Sequence, residues 1–210
     1  MKKVLWALSL ALTVGFTSCS SDDNSGNNEQ NELENAFLFR GEEYSLKASY
    51  IEYWGEEAPG VFTWDVNLAT SNFSFENDGD SVVFEDDIVS FFIFELNVST
   101  PSGLQVGVYD IDEDNFSPFK CSYADFDYNC DTSNPELDFD EACEAFFELA
   151  SGTVEIVSFS TTNITIKVDA MTEGGEAVEA HYSGSFLMGD EFEDRPSNQI
   201  SKSPKQKTRR

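Results

Sequence analysis

Apolar and polar residues alternate with period two through most of the middle of this chain, and that pattern predicts strands. Phe62, Trp64, Val66 and Leu68 alternate with Thr63, Asp65 and Asn67, as expected of a strand with one buried face. Phe92, Phe94, Leu96 and Val98 alternate with Phe91, Ile93, Glu95 and Asn97. Apolar residues at the start of both faces predict a central position for that strand. Leu104, Val106 and Val108 follow the turn Pro101-Ser102-Gly103 and predict a shorter one. Three consecutive strands are expected over 152–160, 164–170 and 178–186, with turns at 161–163 and 173–176, which makes an antiparallel meander. Further strands are expected over 37–40, 44–54 and 72–76. Seven to nine short strands with turn signals between them predict an all-β fold, an antiparallel β-sandwich or open barrel spanning 36–190.

One stretch breaks the alternation. Residues 110–149 are acidic, rich in Phe and Tyr, and contain Cys121, Cys130 and Cys143. They read as a cysteine-bearing insert, with a short helix from about Glu141 to Leu149 capped by Asp140. In an oxidising compartment one disulfide is expected there, joining Cys143 to Cys121 or to Cys130. A long ordered loop on a rigid scaffold is a common place for a binding site, so the insert is the expected functional face.

The N-terminus carries a different signal. Met1-Lys2-Lys3 is basic, Val4 to Phe16 is apolar, and Thr17-Ser18 are small residues ahead of Cys19. Residues 1–18 have the form of a secretory signal peptide. Cys19 at the cleavage point resembles the lipobox of bacterial lipoproteins, which implies an acylated (palmitate-type) cysteine as the membrane anchor. Ser20-Ser21-Asp22-Asp23 resembles the acidic signal that sends lipoproteins of the Bacteroidetes type to the outer face of the outer membrane. Residues 19–35 then read as a flexible tether and 191–210 as a disordered basic tail.

The resemblance extends into the domain. Phe94-Glu95-Leu96, Gly107-Val108-Tyr109, Gly152-Thr153-Val154 and Tyr182-Ser183-Gly184-Ser185-Phe186 resemble motifs of small Bacteroidetes surface lipoproteins with a β-sandwich-like domain, a family of unknown function. The likeness implies a fold and a location. It implies no catalytic residue.

Charge narrows the partners. The chain has 40 acidic and 12 basic residues, a formal net charge of −28, and between residues 19 and 194 its only strong bases are Arg40, Lys47, Lys120 and Lys167. Such a field repels nucleic acid and anionic lipid, so contact with the membrane is expected through the lipid anchor only. A glycan or surface protein is the expected partner. His181 is the only histidine, and with no G-x-S-x-G elbow or C-x-x-C pair neither a serine hydrolase nor a zinc site is indicated.

Two sets of candidate residues remain. Asp125, Asp127, Asn129, Asp131, Ser133 and Glu136 have the oxygen-ligand spacing of a calcium loop of the EF-hand kind, which makes calcium the one candidate cofactor. Cys130 replaces the turn-forming glycine of that pattern. Tyr53, Trp54, Phe116 and Tyr123 are candidate ligand contacts, since aromatic faces beside carboxylates suit sugar stacking. Together these features predict a non-enzymatic binding or structural β-domain on the cell surface. The alternative is a surface glycoside hydrolase using a pair of acidic residues, a pair that composition alone does not single out.

Overall fold

Aromatic and β-branched residues on alternate positions make extended chain the favoured state here. The computed structural model describes residues 33–75, 82–133 and 139–189; residues 1–32, with Cys19 and most of the tether, and the basic tail lie outside that range. The strands are β1 (Ala36–Phe39), β2 (Glu42–Ser45), β3 (Ala48–Ala58), β4 (Val61–Ala69), β5 (Phe73–Phe75), β6 (Val82–Phe84) and β7 (Ile88–Val98). They continue with β8 (Gly107–Ile111), β9 (Lys120–Asp131), β10 (Cys143–Phe159), β11 (Asn163–Thr172), β12 (Ala177–Ser185) and β13 (Leu187–Met188). Eleven of them form one sheet in the order β13-β3-β4-β7-β9-β8-β10-β11-β12-β1-β2, and β5 pairs with β6 in a separate hairpin.

The all-β class and the β10-β11-β12 meander agree with the sequence pattern. The strand number and the purely antiparallel arrangement need correction. Among the described residues there are thirteen strands, and the large sheet is mixed, because β8 runs parallel to β9 and β13 parallel to β3. The sheet is not closed.

It is, however, strongly curled. Phe37 and Phe39 of β1, next to the last strand of the sheet, pack against residues of β7, β9 and β10 near its middle. Phe126 lies at the centre: its ring is 4.5 Å from Phe92, 5.2 Å from Phe37, 5.1 Å from Phe39 and 5.8 Å from Phe147. Phe37, Phe39, Phe92 and Phe126 are fully buried. Around them one continuous core collects Ile51, Val66, Leu68, Leu96, Ile156 and Ile166 from strands along the whole sheet.

The expected insert is a second correction. Residues 110–149 are not a loop added to a scaffold; they supply β9 and the first half of β10, which occupy the middle of the sheet. After one helical turn, Phe139–Ala142, the chain is strand from Cys143 onward, so the helix expected over 141–149 does not form. The alternation was present, since the core residues Ala124 and Phe126 alternate with Asp125 and Asp127. Buried carboxylates on the opposite face concealed it.

A short strand is wedged into this region. β9 pairs with β10 from Cys130 to Asp125, and beyond that point the two separate. β8 fills the gap, pairing with β9 at Lys120 and Cys121 and with β10 from Thr153 to Ile156. β10 bends where it changes partner, with an irregularity between Leu149 and Ser151. Gly152 sits there at φ +123°, and a Cβ at that position would lie 2.2 Å from the carbonyl oxygen of Asp169. Only glycine fits.

The disulfide joins Cys130 to Cys143, directly paired residues of β9 and β10, with S–S 2.09 Å. Of the two pairings left open by the sequence, this is the one that forms. Cys121 is buried as a free thiol, its pKa driven up by burial, and it donates to the Tyr123 carbonyl at 3.1 Å.

Phe126→Ala is expected to destabilise the domain by about 3–5 kcal/mol, the usual cost of truncating a buried phenylalanine. Phe116→Ala, at a side chain 40% exposed, should cost under about 0.5 kcal/mol. Urea unfolding of both variants measures the contrast. Replacing Cys130 and Cys143 together by serine should lower stability by about 3 kcal/mol, because the bridge closes a loop of some 13 residues.

Candidate functional site

A strand with apolar residues on one face normally shows its other face to water. β4 does not: Thr63, Asp65, Asn67 and Ala69, which point away from the core, are all buried, as are Trp64, Val66 and Leu68 on the core side. The outer face of β3-β4-β7-β9 is therefore a second, partly enclosed surface. Strand register sets out its contents in rows. One row is Tyr50, Asn67, Ile93 and Asp125, and the next is Glu52, Asp65, Glu95 and Tyr123.

The second row is an acidic ridge. Asp65 and Glu95 are directly opposed across β4 and β7, and directly opposed residues on one face hold their Cβ atoms about 4.5–5.5 Å apart. Burial pushes the Asp65 carboxyl well above the usual range, and the charges of Glu95 and Glu52 add to the rise while a hydrogen bond from Trp54 opposes it. Burial is also the main cause at Glu95, helped by Glu57, Asp125 and Asp114 and opposed by Ser122, and it brings that carboxyl up to about 7. The Tyr123 hydroxyl donates to Asp125 Oδ2. Farther along the face Asn97, fully buried, accepts from Thr63 Oγ1 at 2.7 Å and donates to Ser122 Oγ at 2.9 Å.

The first row borders a pocket. The β5-β6 hairpin lies over this end of the face, where Ala69, Phe73 and Val89 form a second small core with Phe84 and Phe91 packed against it. Between hairpin and sheet is a pocket of about 230 Å³, walled by Tyr50, Phe73, Phe84, Phe91 and Ile93 and reached by Asn67. Asn67 is 7% exposed, and its Nδ2 has no hydrogen-bond partner among the described residues. An unmatched buried amide costs about 1–3 kcal/mol, which marks the position as unusual. A separate polar hollow, about 550 Å³, lies around Tyr44, Thr70 and Asn129 beside the Lys47–Asp86 ion pair.

The residues singled out in the sequence are distributed unevenly over this geometry. Trp54 and Tyr123 both belong to the acidic face. Tyr53 turns inward and packs on Trp64, with ring centroids 4.7 Å apart. Phe116 is exposed on the β8–β9 connection. Asp125, Asp127, Asn129 and Asp131 all lie on extended β9, with Asp125 and Asp127 buried. A strand advances about 3.3 Å per residue, so these residues are spread along β9 and not gathered in the loop that their spacing suggests. Glu136 lies outside the described residues. Among the described residues no group of three or more His, Cys, Asp or Glu is placed to hold a metal ion. His181 is half-buried, with Nδ1 bonded to the Leu33 carbonyl.

Asp65, Glu95 and Asn67 were not found by sequence reasoning. Their signal was present but indirect: both strands alternate cleanly, and a polar residue on the non-core side of a strand reads as solvent-facing unless a covering element is known. No known protein family, curated protein or solved structure matches this chain.

The elevated carboxyls make stability depend on pH in a definite direction. A group with its folded pKa above its unfolded value binds more protons in the folded state, so stability falls as pH rises from the unfolded value, near 4.5 for Glu95, through about 7. The unfolding midpoint should be higher at pH 5.5 than at pH 8. Glu95→Gln should flatten that dependence, and thermal melts across the range measure it.

Proposed function

We propose that this chain is a lipid-anchored protein of the outer membrane, facing the cell exterior, whose β-domain binds a ligand or partner without turning it over. The anchor rests on the signal-like residues 1–18, on Cys19 at the lipobox position and on the acidic Ser20–Asp23 stretch. The resemblance of the strand motifs to Bacteroidetes surface lipoproteins is consistent with that location. One observation carries the binding role: the outer face of β3-β4-β7-β9 holds an aromatic-walled pocket bordered by a ridge of carboxylates, with the unmatched Asn67 amide reaching it. Concave, largely apolar sites with a few placed polar groups are the usual form of a small-ligand site.

Asp65 and Glu95 favour a second reading. A pair of opposed acids is what a glycosidase uses, and an acid with its pKa near 7 is suited to protonate a leaving group. Under that reading Glu95 is the general acid, and Asp65, kept protonated by burial, has to ionise when substrate binds to serve as its partner.

Two experiments test the anchor and separate binding from hydrolysis. Cys19→Ala should prevent acylation and move the protein out of the membrane fraction, and labelled fatty acid entering the variant would refute the anchor. A glycan array, run beside a reducing-sugar release assay, should give binding without release. Sugar release that disappears in Glu95→Gln would establish the hydrolase instead.

A further inference from the structure

The pocket and the ridge are neighbours, and together they specify a class of ligand; the inference rests on the binding role proposed above and deepens it. Asn67 and Asp65 point from the same face of β4, two residues apart, which on a strand is about 7 Å. Tyr50 and Glu52 have the same relation on β3, as do Ile93 and Glu95 on β7. A molecule in the pocket therefore has acidic residues one row away, about 7 Å, on three adjacent strands.

Size comes from the volume. An apolar cavity of about 150 Å³ holds one benzene ring, so a pocket of about 230 Å³ takes a ring with a short side chain. The walls ask for an aromatic body: Tyr50 and Phe73 meet edge to face at 5.7 Å, as do Phe73 and Phe84 at 6.1 Å, and Phe84 stacks on Phe91 at 6.0 Å. Asn67 Nδ2 is a free donor for an acceptor oxygen on that body. Glu52, Asp65 and Glu95 crowd one row, where burial and mutual repulsion make Asp65 and Glu95 hold protons. An arriving cation lets such an acid release its proton and pair with it, whereas an anion adds to the repulsion, so the row selects for a cation.

We propose that this pocket binds a small aromatic amine: a ring bearing an acceptor oxygen, held among Tyr50, Phe73, Phe84 and Phe91, with the oxygen on Asn67 and a protonated amine on the Asp65–Glu95 pair. The carboxylates are not the whole of the site, since the buried amide and the aromatic walls define the end that takes the ring.

Three probes with one ring system and different charge test the assignment: tyramine, 4-ethylphenol and 4-hydroxyphenylacetate. Each is titrated calorimetrically into the purified full-length chain carrying Cys19→Ala, so that no acyl chain competes for the pocket. Tyramine should bind about tenfold more tightly than 4-ethylphenol, equivalent to about 1.4 kcal/mol, and 4-hydroxyphenylacetate should bind most weakly. Asn67→Leu should weaken tyramine and 4-ethylphenol alike. Glu95→Gln, at a partly exposed position, should bring tyramine down to the affinity of 4-ethylphenol and leave 4-ethylphenol unchanged. The assignment is overturned if the anion binds as well as the amine, if Glu95→Gln leaves tyramine unaffected, or if none of the probes binds. A domain that ignores all three probes yet binds on the glycan array would refute this ligand class while leaving the binding role in place.

Discussion

The packing of β1 onto the middle of the sheet is the contact on which the rest of this structure depends. Eleven strands hydrogen-bonded in a row would leave two large faces, and the aromatic residues need one of them dry. Curling the sheet until Phe37 and Phe39 meet Phe92, Phe126 and Phe147 buries that face against itself. Aromatic pairs of this kind add about 0.5–1.5 kcal/mol each beyond the area they bury. On the strand that carries Phe147, β10, the exchange of partner from β9 to β8 and the narrow space at Gly152 fall close together.

Curling has a second effect, on the outside. The strands that line the deepest part of the core, β4 and β7, carry the outer face on their other side. With the β5-β6 hairpin over one end of that face, side chains that would ordinarily be wet become partly enclosed. Asp65, 7% exposed among neighbouring carboxylates, is an expensive residue to bury. Its cost is borne by the core beneath it, since Val66 and Leu68 on the same strand are fully buried. Strength on one side of a strand permits poorly solvated acids on the other.

Much of the fold was legible in the sequence because period-two alternation is a local property. β4, β7 and the β10-β11-β12 meander could be read directly from residues such as Trp64, Phe94 and Ile166. β9 could not, although Ala124 and Phe126 alternate as cleanly as any, because Asp125 and Asp127 on its other face looked like ligands rather than the outer half of a buried strand. The site was less legible still. Trp54 and Tyr123 were singled out as exposed aromatics and do belong to the acidic face, but Asp65, Asn67 and Glu95 are identified only by which strands become neighbours and by what the hairpin covers. Both are long-range facts. They depend on pairings such as Asp65 with Glu95, which no local window contains.

The pairing of β1 with β12 has a consequence in time. Ala36 stands opposite His181, and Leu33 reaches the same histidine across 148 residues of chain. Synthesis delivers β1 long before its partner. Until β12 is made, Phe37 and Phe39 lie on a strand with only the short β2 beside it, and the aromatic centre lacks two of its rings. Closing so long a loop is entropically unfavourable and makes folding slow in proportion to its contact order. The nascent chain thus passes through a long interval with a sticky strand edge and an open core, and that interval is when it is most exposed to misassociation.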